Sequence, residues 1–258
     1  LLRSNVWRPQ IMGLFTNIFK KTEKLEPFDI SRLKVDIHSH LIPGIDDGAQ
    51  DMDQSIAMLN KFQSMGFKKV VTTPHVMMDS FPNTNEIILN GLNQLRKEAQ
   101  KHGLTIEIEA AAEYYFDETL MPKITNKELL TFGDNYVLVE FAFHSKPQFL
   151  DQLFFELKSK GYRPVIAHFE RYMYFLGDIE KATEWRKNGV NIQINLNSLS
   201  GQYGPEIKKQ AEKLIDAGEF DFVGTDCHRI EHLMLLEVNL RNPYIHKIGN
   251  YLVKNLVI

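Results

Sequence analysis

The chain has 258 residues, 43% hydrophobic and 24% charged, with a formal net charge of -3. That composition suits a globular protein with a sizeable core, and no basic block is long enough to track a nucleic-acid backbone. A single cysteine, Cys227, excludes an intrachain disulfide, and no run of about 18 apolar residues suggests a transmembrane helix, so the expected location is the cytoplasm.

Residues 1–33 read as an N-terminal arm. Its stretch "MGLFTNIFKK" sets Leu14, Phe15, Ile18 and Phe19 on one helical face, followed by lysines. A short helix packed on its own domain is the plainer expectation, and a docking or membrane-surface segment the sharper one. Met12 is a candidate start, with 1–11 upstream of it. "FKKTEK" breaks the only apolar stretch that a signal peptide would need.

From Lys34 to Ile258 the pattern predicts one domain in which strands and helices alternate. Strand-like runs fall at 34–40, 68–75, 105–116, 136–143, 163–170, 190–199 and 220–228. Helix-like runs fall at 51–65, 84–102, 147–160, 178–188 and 205–217. "MGFKKVV", "HGLTIEI", "KGYRPVI", "NGVNIQI" and "AGEFDFV" each place a glycine between a helix and the next strand, where a left-handed cap closes the helix. Repeated βα units of this kind predict a mostly parallel sheet, either an open doubly wound sheet or a closed barrel. Residues 114–135 fit no regular unit, so a barrel here is distorted. After residue 228 there is room for a closing helix or two.

The chemistry at the strand ends favours the barrel. His40, His75, Glu113, His168, Asp226 and His228 all fall at or near the end of a strand run, and the C-terminal strand ends are where a (β/α) barrel gathers its site. An open sheet brings only a few strand ends together. His38 and His40 lie two apart on an extended segment, so both point the same way. Asp226 and His228 in "TDCH" repeat that spacing. Imidazoles mixed with carboxylates, without a thiolate, suit Mn, Zn or Fe. A lone strand-end histidine is more often a satisfied polar residue. Here His38, His40, His75, His168 and His228 are five of nine histidines, and Asp47, Glu113 and Asp226 accompany them. Eight donors exceed the need of one ion and predict two or three. His102, His144, His232 and His246 read as surface or packing residues, and Glu140 and Asp36 as supporting polar residues.

In combination, "DIHSHLIPGIDDGAQ", "VVTTPH", "AAEYYF", "PVIAHFERY" and "GTDCH" resemble the PHP (polymerase and histidinol phosphatase) family, from about residue 34 onward. Within it they are most similar to the capsular polysaccharide tyrosine phosphatases of the CpsB/YwqE type. The resemblance implies an α/β fold, a distorted (β/α)7 TIM-like barrel. It also implies a centre of two or three divalent metal ions, usually Mn, held by His38, His40, Asp47, His75, Glu113, His168, Asp226 and His228. Of the "DD" pair, Asp47 is the expected ligand and Asp46 the turn-former. Arg171 of "HFER" would be a catalytic phosphate-binding residue, and Arg229 is a second candidate phosphate contact.

The activity so implied is hydrolysis of phosphotyrosine on a bacterial tyrosine kinase that controls capsule or exopolysaccharide synthesis. Tyrosinate, from a phenol of pKa about 10, leaves without a strong protein acid. Tyr114, Tyr115, Phe116, Phe143, Tyr172, Tyr174 and Phe175 surround the expected mouth, though each alone reads as packing. Cys227 does not start a cysteine-phosphatase loop, because Leu233 stands where that loop needs arginine. The loop "VMMDSFPNT" after His75 lacks the basic residues of some relatives. Competing readings are a PHP phosphoesterase acting on a small metabolite such as histidinol phosphate, and a metal-binding regulatory protein without turnover.

Overall fold

The computed structural model describes residues 25–251 and 253–258. The helical face at 14–19 lies outside them. Phe28, Ile30 and Leu33 are buried in the core, so the last part of the expected arm packs on the domain.

All five glycine stops hold left-handed backbone: Gly66 at φ 93°, Gly103 at 70°, Gly161 at 89°, Gly189 at 79° and Gly218 at 69°. They close helices whose starts are equally explicit. Asp51 caps α1 (Met52–Ser64), Thr84 caps α2 (Asn85–Lys101) and Asp178 caps α5 (Ile179–Lys187), each through its side-chain oxygen. Pro205 opens α6 (Pro205–Ala217), where its missing N–H costs nothing. Between them, α4 (Leu150–Ser159) starts three residues later than expected. The irregular stretch 114–135 contains α3 (Leu120–Asn126), too short to show a helical period in sequence. The chain closes with α7 (Ile230–Asn239) and α8 (Pro243–Ile248).

Nine strands come from the seven predicted runs: β1 (Val35–Asp36), β2 (Lys69–Thr72), β3 (His75–Val76), β4 (Glu107–Ala110), β5 (Glu113–Tyr115), β6 (Tyr136–Glu140), β7 (Arg163–Ile166), β8 (Asn191–Asn195) and β9 (Phe222–Gly224). Two runs are split. The first breaks at Thr73–Pro74, where proline has no N–H for a ladder, and its neighbour breaks alongside at Ala111–Ala112. All pairs are parallel, in the orders β1-β2-β4 and β3-β5-β6-β7-β8-β9. The ring closes through a parallel bridge between Ser39 and Cys227. Asp226 N donates to His38 O and His40 N to Cys227 O, both at 2.8 Å. The architecture is therefore the expected distorted seven-unit parallel barrel, with helices outside.

An inner cluster that includes Val35, Ile37, Val71, Tyr136, Leu138, Val165 and Phe222 fills the lower barrel. The larger cluster lies between strands and helices. Strand alternation fails between Ile37 and His38. Ile37 joins the inner cluster with Val35, yet His38 also turns inward, and β1 accordingly stops at Asp36. Asp36 faces the seam instead, accepting from Thr225 N and Oγ1.

Candidate metal centre

Above the apolar plug the barrel interior turns polar, within two residues from Ala111 to Glu113 and from Leu138 to Glu140. Register sets the first pair, since His75 of β3 sits opposite Glu113 of β5. The closing bridge sets His38 and His40 beside Asp226 and His228. His168 and Asp226 reach the same space by left-handed backbone, at φ 31° and 51°. Such conformations cost free energy in residues other than glycine and concentrate at functional sites.

All eight sequence-predicted donors converge, and Glu140 joins them. They form overlapping groups whose donor atoms lie within 4.8 Å of one another: His40, Asp47, His75 and His228; His38, Glu113 and His168; His38, His40 and Asp226; His75, Glu113 and Glu140. Glu113 Oε2 is the focus. It lies 3.2 Å from His38 Nε2, 3.2 Å from His75 Nδ1 and 3.5 Å from His40 Nε2. None of these four buried atoms has a hydrogen-bond partner. Buried polar atoms are nearly always satisfied, so four orphans facing one another fit a cation.

Supporting side chains aim the imidazoles. His40 donates from Nδ1 to Asp46 Oδ2 at 2.8 Å, and His38 from Nδ1 to Gln193 Oε1 at 3.1 Å. His228 Nδ1 donates to Asp226 O at 3.0 Å. The bonds made by His38 and His40 fix a tautomer and leave Nε2 free for the cluster, while His228 Nε2 lies 3.3 Å from Asp47 Oδ1. Asp46 thus does more than shape its turn, although it does that too by accepting from Gly48 N at 3.0 Å. Gly48 itself is required by a close approach, because a Cβ there would meet His40 O at 2.3 Å.

The charges are as uneven as the geometry. Burial and neighbouring Glu113 push the Glu140 carboxyl well above the usual range. Burial would also raise Glu113 and Asp226, but the surrounding histidines hold both well below it. Hydrogen bonding from His228 brings Asp47 down to about 2. A set in which one acid is held back from ionising by its carboxylate neighbour is crowded with negative charge, which again suits divalent cations.

Arg171 Nη1 donates to Asp226 Oδ2 at 2.9 Å, while Glu170 turns away to accept from Ser198 Oγ and Asn195 N. The guanidinium is sandwiched, with Phe143 and Tyr203 ring centroids each 4.4 Å from Cζ. Its other N–H groups have no protein partner among the described residues. Arg171 lines an open cleft of about 300 Å³ with Glu140, His168, Asp226 and His228. Exposed Arg229 stands on its rim, and His232 forms part of its wall rather than of the surface. Cys227 is buried with Sγ against Met58 and Arg229 O, and burial pushes its thiol well up. Tyr114, Tyr172 and Phe175 are core residues, whereas Phe143 and Tyr115 line the cleft system.

Sequence reasoning missed Gln193, Asn195 and Tyr203. Asn195 Nδ2 donates to Asp226 Oδ2 at 2.9 Å, beside Arg171. The signal was available: in "NIQIN" the polar residues alternate with isoleucines, which on a buried strand marks a polar inner face. Tyr203 sits in a loop with no period to betray it.

A closed parallel barrel with imidazoles and carboxylates gathered at its C-terminal mouth defines a PHP-type metal-site barrel. The sequence profile described as capsular polysaccharide synthesis, CpsB/CapC, matches residues 34–256. The chain belongs to that family. It is 30% identical over 224 residues to the putative tyrosine-protein phosphatase CapC of Staphylococcus aureus, covering 84% of this chain and 88% of that one. It is 30% identical over 198 residues to the tyrosine-protein phosphatase YwqE of Bacillus subtilis, covering 76% and 78%. Among solved structures, one described with YwqE and Streptococcus pneumoniae CpsB as unique metal-dependent tyrosine phosphatases superposes with a TM-score of 0.72. It is 27% identical and covers 86% of this chain and 94% of its own. No helix among the described residues is long and apolar enough to cross a membrane.

Proposed function

We propose that the chain is a metal-dependent protein tyrosine phosphatase, with residues 34–258 as its catalytic unit in the cytoplasm. The observation that carries this is Glu113 Oε2 facing three unpartnered imidazole nitrogens under a cleft lined by Arg171. The ligands in this reading are His38, His40, Asp47, His75, Glu113, His168, Asp226 and His228, and Glu140 is within reach. The overlapping groups suit two or three ions, and the oxygen and nitrogen donors suit Mn, with Fe or Zn as alternatives. When bound, the ions supply Lewis acidity and a water of lowered pKa.

The chain's own residues do the rest. Arg171 presents its free N–H groups to the phosphoryl oxygens and offsets charge that grows on them. Phe143 and Tyr203 hold its plane, and Asp226 fixes its near edge. Arg229, exposed on the rim, meets the phosphate from the open side. The substrate in this reading is a phosphotyrosyl protein of capsule or exopolysaccharide synthesis, as the family's name and those of its relatives support, and a tyrosine kinase of that synthesis is the particular protein proposed.

The test is protein loaded separately with Mn, Zn and Fe and assayed on a phosphotyrosyl peptide, a phosphoseryl peptide and histidinol phosphate. The expected result is turnover of the phosphotyrosyl peptide that chelation abolishes. Preference for histidinol phosphate, or background turnover in fully loaded protein, overturns the reading. Cys227→Ser should leave turnover intact.

A further inference from the structure

The cleft over the donor cluster continues into a second lobe of about 510 Å³. Asp47, His75, Glu140 and Phe143 belong to both. The lobes differ in charge. The first holds Arg171 and Arg229. The second is lined by acids and aromatics and by no lysine or arginine among the described residues.

Asp47 and Glu140 are committed to the donor cluster, but Asp79 and Asp117 are not. Asp79 is exposed at the tip of a hairpin in which Met77 and Phe81 exchange two 2.9 Å backbone hydrogen bonds. The hairpin is tied down on three sides. Phe81 stacks on His75 with ring centroids 5.6 Å apart, Asn83 Nδ2 donates to His75 O at 2.8 Å, and Met78 N donates to Asp117 Oδ2 at 2.9 Å. Asp79 has no ion-pair partner among the described residues. Met77, Phe81, Tyr115 and Phe143 supply apolar and aromatic wall.

A neutral phenol ring needs the aromatic wall and gains nothing from two carboxylates that lack a cationic partner among the described residues, one of them, Asp117, held in place by Met78 N and Thr119. A cationic side chain gains from both, through charge and through the ring faces. We infer that this second lobe is a specificity subsite that takes a lysine or arginine flanking the phosphotyrosine of the substrate, and that Asp79 and Asp117 determine the preference. The inference rests on the phosphatase reading above. It also gives the loop after His75 a purpose: without cations it cannot hold phosphate, but it can select what lies beside it.

The experiment uses the full chain loaded with Mn and phosphotyrosyl peptides that differ only in carrying lysine or glutamate at the positions flanking the phosphotyrosine. The readout is the ratio of kcat/KM for the two, which cancels any general loss of folded or loaded protein. Two partly solvated charge pairs predict a preference of about 5- to 10-fold for lysine in low salt, shrinking as salt rises. Asp79→Lys should bring the ratio to about one or below. A wild-type ratio of one, or a ratio unchanged by Asp79→Lys, overturns the subsite. Phenyl phosphate, which has no flank, separates the two readings. Its turnover with a peptide ratio of one refutes the subsite alone. Background rates on phenyl phosphate and both peptides refute the phosphatase reading and the subsite together.

Discussion

The two ends of the barrel use similar residue types to opposite effect. At the N-terminal end Arg186 donates from Nε to Asp221 at 2.9 Å and from Nη1 to Glu219 at 2.7 Å and Gly218 O at 2.8 Å. Lys254 lies 3.2 Å from the same Asp221, which also accepts from Ile192 N. Every charge there has its partner, so the cluster ties β8, β9 and the C-terminal turn together. At the C-terminal end Glu113 Oε2, His38 Nε2, His40 Nε2 and His75 Nδ1 crowd together without a hydrogen bond. Charge that is fully hydrogen-bonded closes a structure, and buried donor atoms without such bonds leave valence for something else.

The sharpest way to break this contrast is His40→Ala. It removes a donor common to two of the groups, and bound metal and turnover should fall together by about 100-fold or more, beyond the range seen for mere supporting partners. Elemental analysis with an aryl phosphate assay checks both, and retained turnover refutes the assignment. Arg171→Ala should lower kcat by about 100- to 1000-fold while most of the metal stays, since Arg171 touches only Asp226 Oδ2, which Asn195 also holds, and Asp226 Oδ1 is the oxygen that faces the histidines. Arg171→Lys should recover little, because an ammonium cannot lie flat between two rings. Gln193→Ala should weaken metal affinity by about 10- to 100-fold, measured by competition with a chelator, through loss of the bond that fixes His38. The smallest effect belongs to the other end. Arg186→Ala should cost about 2 kcal/mol in a urea titration and leave turnover per bound metal unchanged. A large loss of turnover there would mean the two ends are not independent.

Much of this was legible in sequence because backbone periodicity and short motifs carried it. The glycine stops are local, so Gly66 or Gly218 could be placed without knowing the fold. His38 with His40, and Asp226 with His228, were readable as pairs because each pair spans one extended segment. What sequence did not show depends on contacts between distant segments. Glu140 looked like a supporting polar residue, and only the pairing of β5 with β6 brings it beside Glu113. Tyr203 meets Arg171 because the loop before α6 folds over the mouth. Asp46 and Asp47 are neighbours in sequence, but one orients His40 and the other faces His75 and His228. The break before His38 was hidden because a single turned residue leaves no mark on a seven-residue pattern.

The left-handed backbone of His168 and Asp226 sets stability against function at two positions. Each conformation is a cost carried by every folded molecule, loaded or empty. Glycine at either place would relieve it and at the same stroke delete a donor. Selection for heat resistance alone would therefore reward losing the metal centre, and selection for turnover alone would keep the strain. A library screened first for one and then for the other should return opposite residues at positions 168 and 226.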